Sequence, residues 1–172
     1  HVLNAEAEAS PPGARGLVVL PYFSGALTPL FDPVAKGMIF GLDLTHSRGD
    51  MFRAALEGIA QATRHIIETY GHAGQPPREI QAVGGGTKSK VWRQAISDSC
   101  NAVQMLREKT WGASFGDAFL AALALGDVKP GDMDKWNPVV REIRPREVNR
   151  AIYDKVYRKF RGLYEGTRHL IT

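Results

Sequence analysis

Short apolar runs alternate with amphipathic stretches along this chain, and this alternation constrains the fold more than any other feature of the sequence. Stretches with apolar residues at three- and four-residue spacing predict helices, and compact apolar runs predict strands. Strands that alternate with helices are typical of an α/β fold with a mixed or parallel sheet. The predicted strands are Leu17–Phe23, Met38–Leu44, Glu79–Val83 and Ala102–Leu106.

The clearest predicted helix follows the second of these strands. Ser47 and Asp50 have the spacing of a capping box, in which each side chain accepts a hydrogen bond from the other residue's backbone N–H. Gly71 and Gly74 predict that the helix ends near Tyr70. Apolar residues recur on one face, which we expect to be buried: Phe52, Ala55, Leu56, Ile59, Thr63, Ile66 and Ile67.

The chain has the size and apolar content of one globular domain, with 172 residues of which 44% are hydrophobic. We expect a linker or frayed end over residues 1–15, one domain over 16–165 and a tail over 166–172. Cys100 is the single cysteine, so a disulfide scaffold is excluded. No apolar run is long enough to span a membrane. A reducing, cytoplasmic setting is therefore the expectation.

The best candidate for a binding site is the turn Gly84-Gly85-Gly86-Thr87-Lys88-Ser89, between a predicted strand and a predicted helix. Glycines let a ligand approach the backbone closely, and a helix start offers free N–H groups. The turn could therefore hold an anion or a nucleotide. It is not a P-loop, because Ala82 replaces its first glycine, nor a dinucleotide motif, because Ser89 replaces its third. A tight turn without a ligand is the alternative.

No other cluster of residues indicates catalysis or a metal site. Cys100 has no histidine near it in the sequence, so we expect a small buried residue rather than a nucleophile. Five scattered histidines and one cysteine give no pair at metal-ligand spacing. The remaining candidates are expected to be structural, capping or solvated: His46, His65, His72, Asp98 and Asp117.

The basic excess of the chain belongs to its C-terminal segment. Residues 141–172 contain nine Lys or Arg and four Asp or Glu, whereas the net charge of the whole chain is +4. Acidic residues interrupt the run and no nucleic-acid motif accompanies it. We therefore interpret the segment as a helix with a solvated basic face, and we expect no nucleic-acid partner.

Four segments, in order, resemble the C-terminal lobe of the FGGY carbohydrate kinases, and especially their xylulokinase-like members. They are Leu20–Leu44, Arg53–Ala60, Val83–Asp98 and Gly112–Gly126. The resemblance covers about residues 16–165. It implies a ribonuclease-H-like, actin-like ATPase lobe, with a mixed sheet flanked by helices.

The resemblance also implies roles for individual residues. The three glycines of the turn would lie against the nucleotide and Ser89 near the adenine, with Thr87 and Lys88 as neighbours. Gly112 and Gly116 match family glycines that we interpret as packing positions. No catalytic residue is implied in this chain, because the family's catalytic aspartate, its β- and γ-phosphate loop and most sugar contacts belong to the N-terminal lobe.

The implied activity is transfer of the γ-phosphate of ATP to a hydroxyl of a ketose or polyol such as xylulose, with Mg²⁺. The implied partners are ATP, the sugar or polyol, and the N-terminal lobe of the same protein. The sequence leaves open whether the protein is a homodimer. It also leaves open whether the chain, which begins at His1, is a fragment or a standalone protein.

One departure from the family concerns the loop after the first strand. Many xylulokinase-like members have Gly-Glu-Arg-Thr-Pro where this chain has Gly25-Ala26-Leu27-Thr28-Pro29. The missing Glu-Arg pair leaves the identity of the sugar open. It also keeps an alternative function open, a binding or interaction module that retains the lobe fold without catalysis.

Overall fold

The structure is a computed structural model that describes residues 2–75, 77 and 79–170. Short one-turn 3₁₀ helices, such as Gly85–Lys88, connect several of its helices and strands. The main elements are, in order, α1 (Val2–Ala9), β1 (Val18–Leu20), β2 (Met38–Phe40), α2 (Arg48–His72), β3 (Ile80–Ala82), α3 (Lys90–Cys100), β4 (Gln104–Arg107), α4 (Ala113–Leu125), α5 (Met133–Trp136), β5 (Val139–Ile143) and α6 (Arg150–Thr167).

The strands form two separate sheets within the described residues. β1 and β2 pair antiparallel, with Val19 opposite Ile39. β3 and β4 pair parallel, and β5 joins β4 antiparallel, so that the second sheet is mixed. The four predicted strands all form but are shorter than expected. The sequence predicts a loop or a short turn over 132–140. β5 lies partly in this segment, because pairing with β4 rather than local periodicity makes it a strand.

The N-terminal residues expected to be a linker form a packed helix instead. α1 places Ala7 in the interior with no exposed surface. A Cβ on Gly49 would lie 2.6 Å from the carbonyl oxygen of Glu6, so this glycine lets α1 lie directly on α2. Arg53 Nη1 donates to the Ser10 carbonyl oxygen at 2.7 Å. Contacts with α2, which are distant in sequence, thus order a segment whose composition indicates a flexible end.

The predicted capping box of α2 is present, but the helix buries a different face from the predicted one. Ser47 Oγ accepts from Asp50 N at 3.1 Å, and Asp50 Oδ2 accepts from Ser47 N at 2.8 Å. None of the seven residues of the predicted apolar face is fully buried, and Ile59 is 39% exposed. The buried positions are small or polar: Gly49, Asp50, Arg53, Ala54, Glu57, Gly58, Ala60, Gln61 and His65.

Close approach of β1 explains this choice of face. A Cβ on Gly58 would lie 2.3 Å from the Val19 carbonyl oxygen, so α2 crosses β1 at a distance that only small residues permit. Hydrogen bonds offset part of the cost of burying these polar side chains. Glu57 Oε1 accepts from Arg53 Nε at 2.7 Å, from Tyr153 Oη at 2.9 Å and from Gly13 N at 3.1 Å.

Helix α6 closes the core on the other side of β1. Val156, Tyr157, Phe160 and Tyr164 of its buried face pack on β1 and the loop after it. Tyr153, also buried, packs on α2 and α3 instead. The tail expected from residue 166 is different in the structure, because α6 continues to Thr167 and a 3₁₀ turn follows to Leu170. The last two residues of that predicted tail, 171 and 172, and His1 of the predicted linker lie outside the described residues.

Candidate functional site

The glycine turn and the loop after β4 lie side by side at one edge of the mixed sheet. Each follows the carboxyl end of one of two parallel neighbouring strands, β3 and β4. The Gly84 N–H donates to the Thr110 carbonyl oxygen at 2.8 Å and so joins the two loops. Ligands of open α/β sheets bind outside the carboxyl ends of the strands, which makes this edge the candidate site.

Gly84 gives the turn a backbone conformation that other residues rarely adopt. Its φ of 84° and ψ of −175° lie in a region that is essentially restricted to glycine. The chain then makes one 3₁₀ turn, in which Thr87 Oγ1 donates to the Gly84 carbonyl oxygen at 2.6 Å. This bond is formed by a buried side chain and closes the turn upon itself. The local chemistry of the sequence therefore determines the shape of the loop.

The two following glycines have different surroundings. A Cβ on Gly86 would lie 1.7 Å from Cζ3 of Trp92, so this glycine makes room for the tryptophan of α3. A Cβ on Gly85 would meet no atom of the described residues within 4 Å. No hydrogen bond of the described residues uses the N–H groups of Gly85 and Gly86. The open space and free donors are therefore at Gly85, which is exposed.

Ser89 and Lys88 complete the turn. Ser89 is the N-cap of α3, and its Oγ accepts from Trp92 N at 3.3 Å. The cap uses the hydroxyl as an acceptor and leaves its O–H proton available to donate. Lys88 is exposed beside it. The structure thus brings all six sequence-predicted residues together in one turn, but it gives Gly86 and Thr87 contacts within the chain itself.

Asn137 was not found by sequence analysis, although it positions the loop beside the turn. Its Nδ2 donates to the Lys109 carbonyl oxygen and its Oδ1 accepts from Lys109 N, both at 2.8 Å. Asn137 is buried, so this pair of bonds holds the loop after β4 in place. The available signal was an asparagine before Pro138, in a segment where the sequence predicts a loop.

The packing role expected of two further glycines has no support in the described residues. A Cβ on Gly112 or on Gly116 would meet nothing within 4 Å there. Helix α4 is held instead by aromatic contacts to Trp136, with ring centroids 5.3 Å from Phe119 and 6.2 Å from Phe115. Much of the rest of α4, including Leu120, is exposed.

Asp98 and Cys100, both on α3, lie in surroundings that indicate structural rather than catalytic roles. Asp98 is buried and accepts from Arg146 N at 2.7 Å, from Asn149 Nδ2 at 2.7 Å and from Gln94 Nε2 at 2.8 Å. Burial raises the pKa of the Cys100 thiol to about 12, so the thiol stays protonated and is a poor nucleophile at neutral pH. No group of three His, Cys, Asp or Glu in the described part of the chain is arranged to hold a metal ion.

None of the helices described in this structure combines the length and the apolar character that crossing a bilayer would require.

Comparison with known proteins relates this chain to sugar kinases. The profile of the FGGY family of carbohydrate kinases, C-terminal domain, matches residues 2–125. Xylulose kinase of Staphylococcus epidermidis is 34% identical over 173 residues, which are 99% of this chain and 34% of that protein. Gluconokinase of Bacillus subtilis is 34% identical over 139 residues, 80% of this chain and 26% of that protein. The chain thus spans about a third or less of the length of these relatives.

Solved structures give the same relation in three dimensions. Xylulose kinase from Rhodospirillum rubrum superposes with a TM-score of 0.86 at 34% identity, covering 99% of this chain and 34% of that one. The xylulose kinase from Lactobacillus acidophilus superposes with a TM-score of 0.84 at 25% identity, covering 96% of this chain and 34% of that one. The expected actin-like ATPase lobe, with helices flanking a mixed sheet, is confirmed.

Proposed function

Because this chain belongs to the FGGY family of carbohydrate kinases, as its C-terminal domain, we propose that it is the nucleotide-side lobe of an ATP-dependent sugar kinase. The whole protein would transfer the γ-phosphate of ATP to a hydroxyl of a ketose or polyol. The relatives named above include kinases for xylulose and for gluconate, and xylulose-like substrates remain the proposal. The single observation that carries the site is the open backbone at Gly85.

The glycine turn would bind the adenosine part of ATP. The flat face of a purine can lie on backbone that has no side chain above it, as at Gly85. The unused N–H groups of Gly85 and Gly86 and the O–H of Ser89 are donors suited to nucleotide oxygen or nitrogen atoms. Thr87 and Trp92 would keep the turn in shape, so that little ordering entropy is lost on binding.

The catalytic base and the Mg²⁺ site would belong to the rest of the protein. Asp98 accepts three hydrogen bonds from α3 and the segment before α6, and we therefore assign it a structural role. The donor set for a metal is also missing among the described residues, so we assign no step to Mg²⁺ in this chain. Mg²⁺ would be held together with the phosphates of ATP, by the rest of the protein. This lobe would bind and orient the nucleotide, while the other lobe would activate the sugar hydroxyl.

The remaining part of the protein would cover the apolar surface that this chain leaves exposed. Leu27, Phe31 and Leu44 are 74%, 82% and 105% exposed, and Ile59 of α2 is exposed as well. In the described sheet, β3 pairs with β4 on one side and has a free edge on the other. Exposed apolar surface of this kind marks an interaction site. The N-terminal lobe of the same protein is the proposed occupant.

The substitution Gly85→Val in the full-length protein tests the nucleotide site. A side chain there fills the open space over the turn without touching the chain itself, so ATP affinity should fall about tenfold or more while the melting temperature stays unchanged. Isothermal titration calorimetry and thermal unfolding measure the two quantities.

Gly131→Val is the matched control. Gly131 is also in a 3₁₀ turn, and its Cβ would also meet no atom within 4 Å among the described residues. ATP affinity should therefore remain at the wild-type value in this variant. Unchanged ATP affinity in Gly85→Val would make the turn purely structural and would remove the nucleotide assignment.

A further inference from the structure

A cavity next to the glycine turn has Thr87 of that turn as one of its lining residues. It has a volume of about 350 Å³ and lies between the start of α3, the end of β4 and the start of β5. The polar side chains that line it are those of Thr87, Thr110, Arg93, Arg107 and Arg141. No aspartate or glutamate lines it among the described residues, so the charge of this cavity is entirely positive.

One of its three arginines already has partners. Arg107 Nη1 donates to Asp134 Oδ1 at 2.7 Å and to the Asn137 carbonyl oxygen at 2.5 Å, and its Nε donates to Gln81 Oε1 at 3.0 Å. These bonds neutralise its charge and fix its position at the edge of the cavity. Arg107 therefore lines the cavity, but its charge is already paired and is not available to a ligand.

The other two arginines lack partners. Arg93 is half-buried, and its Nε is fully buried with no hydrogen bond to the described residues. The Arg141 side chain makes no hydrogen bond or ion pair with the described residues, although its backbone is opposite Leu106 in the sheet. Burial, and then the positive charge of Arg141, lower the pKa of Arg93. The two guanidinium groups thus line one cavity, one of them with a buried Nε that has no partner, and no carboxylate of the described residues lines it. An anion bound there would satisfy that donor and offset the like charges.

We propose that this cavity, the Arg93–Arg141 pocket, binds a phosphate group. Two guanidinium groups supply paired N–H donors whose spacing matches phosphate oxygens, and the hydroxyl of Thr110 adds a third donor. A dianion neutralises both cations, which a single carboxylate does not. Thr87 connects the pocket to the nucleotide site, because its Oγ1 closes the glycine turn from this side.

The proposal goes beyond the nucleotide assignment and can be tested without it. Isothermal titration of the full-length protein with inorganic phosphate should detect binding. Arg93→Gln and Arg141→Gln should each weaken it about tenfold or more, since each removes charge-assisted hydrogen bonds. Arg158→Gln is the matched control, because it removes the same charge from an exposed position of α6 and should leave phosphate affinity unchanged.

Folding of the variants does not limit the test. Loss of either cation relieves repulsion, so the melting temperature should not fall. Arg141 is exposed, so its variant serves even if Arg93→Gln disturbs the packing of α3. Absence of phosphate binding by the wild-type protein, or equal binding by wild type and the Arg141→Gln variant, would overturn the proposal.

A competition experiment identifies the source of the phosphate. If saturating ATP prevents binding of inorganic phosphate, a phosphate of the nucleotide occupies the pocket. If phosphate binds equally well in the presence of ATP, the ligand is a separate phosphate or phosphate ester. Both results support the proposal that the pocket binds phosphate. If the protein bound phosphate normally but did not bind ATP, the proposed kinase function would be refuted and the phosphate pocket would not.

Discussion

The inward and outward sides of this chain are built from residues that are close neighbours in the sequence. On α2, Glu57 is 1% exposed and accepts three hydrogen bonds, whereas Ile59, two residues later, is 39% exposed. In the glycine turn, the ring of Trp92 occupies the space where a side chain of Gly86 would lie, whereas the corresponding space at Gly85 is open. In both places the inward residue is enclosed by other parts of the chain, whereas the outward one leaves surface that the described residues do not cover.

Inward and outward residues of this chain have different roles. A buried ion pair within the chain, such as Arg53–Glu57, stabilises the fold and says little about ligands. An apolar side chain or a bare backbone that faces outward indicates something that binds there. Substitutions on the inward side should change stability, and substitutions on the outward side should change binding.

The largest expected effect is that of Glu57→Ala. This change leaves the buried guanidinium of Arg53 without its counter-charge and removes the acceptor of Tyr153, so the free energy of unfolding should fall by about 3–5 kcal/mol. Denaturant unfolding measures the loss. The control is Glu165→Ala, whose pair with Arg168 is exposed and spans 3.7 Å, and a change within about 0.5 kcal/mol is expected there. Equal losses in the two variants would contradict the inward role of Glu57.

A smaller effect is expected for Gly86→Ala. The new Cβ would overlap the ring of Trp92, and the resulting shift of α3 should lower the free energy of unfolding by about 1–3 kcal/mol. The same substitution in a Trp92→Leu background should cost less, because the smaller side chain can move aside. An additive double variant would show that Trp92 is not the reason for this glycine.

The smallest effect is expected for Ile59→Ala, the position that the sequence places in the core. Because Ile59 is 39% exposed, its truncation in the 172-residue chain should cost about 1 kcal/mol, less than the 2–5 kcal/mol of a buried isoleucine. In the full-length protein the cost should rise towards that range if the other lobe covers this face. The same small loss in both proteins would show that the outward face of α2 stays uncovered.

Much of the site could be predicted from the sequence because its determinants are local. The strand–glycine–helix order places Gly84, Gly85 and Gly86 at a strand end, and the positive φ of Gly84 explains why a glycine stands there. Nothing in the local sequence distinguishes Gly85 from Gly86, since the distinction depends on where the ring of Trp92 lies. The role of Asn137 in positioning the loop after β4 could not be predicted either, because Asn137 and Lys109 are far apart in the chain.

The start and end of α2 and the sharp turn at Gly84 follow from the sequence alone, because caps and glycines act on adjacent residues. Ser47 and Asp50 begin α2 as predicted, and the helix ends at His72, close to the predicted Tyr70. Only the tertiary structure decided which face of α2 is buried. That choice depends on the backbone of Glu6 and Val19 pressing against Gly49 and Gly58, a contact between distant segments that favours small and paired polar residues over large apolar ones.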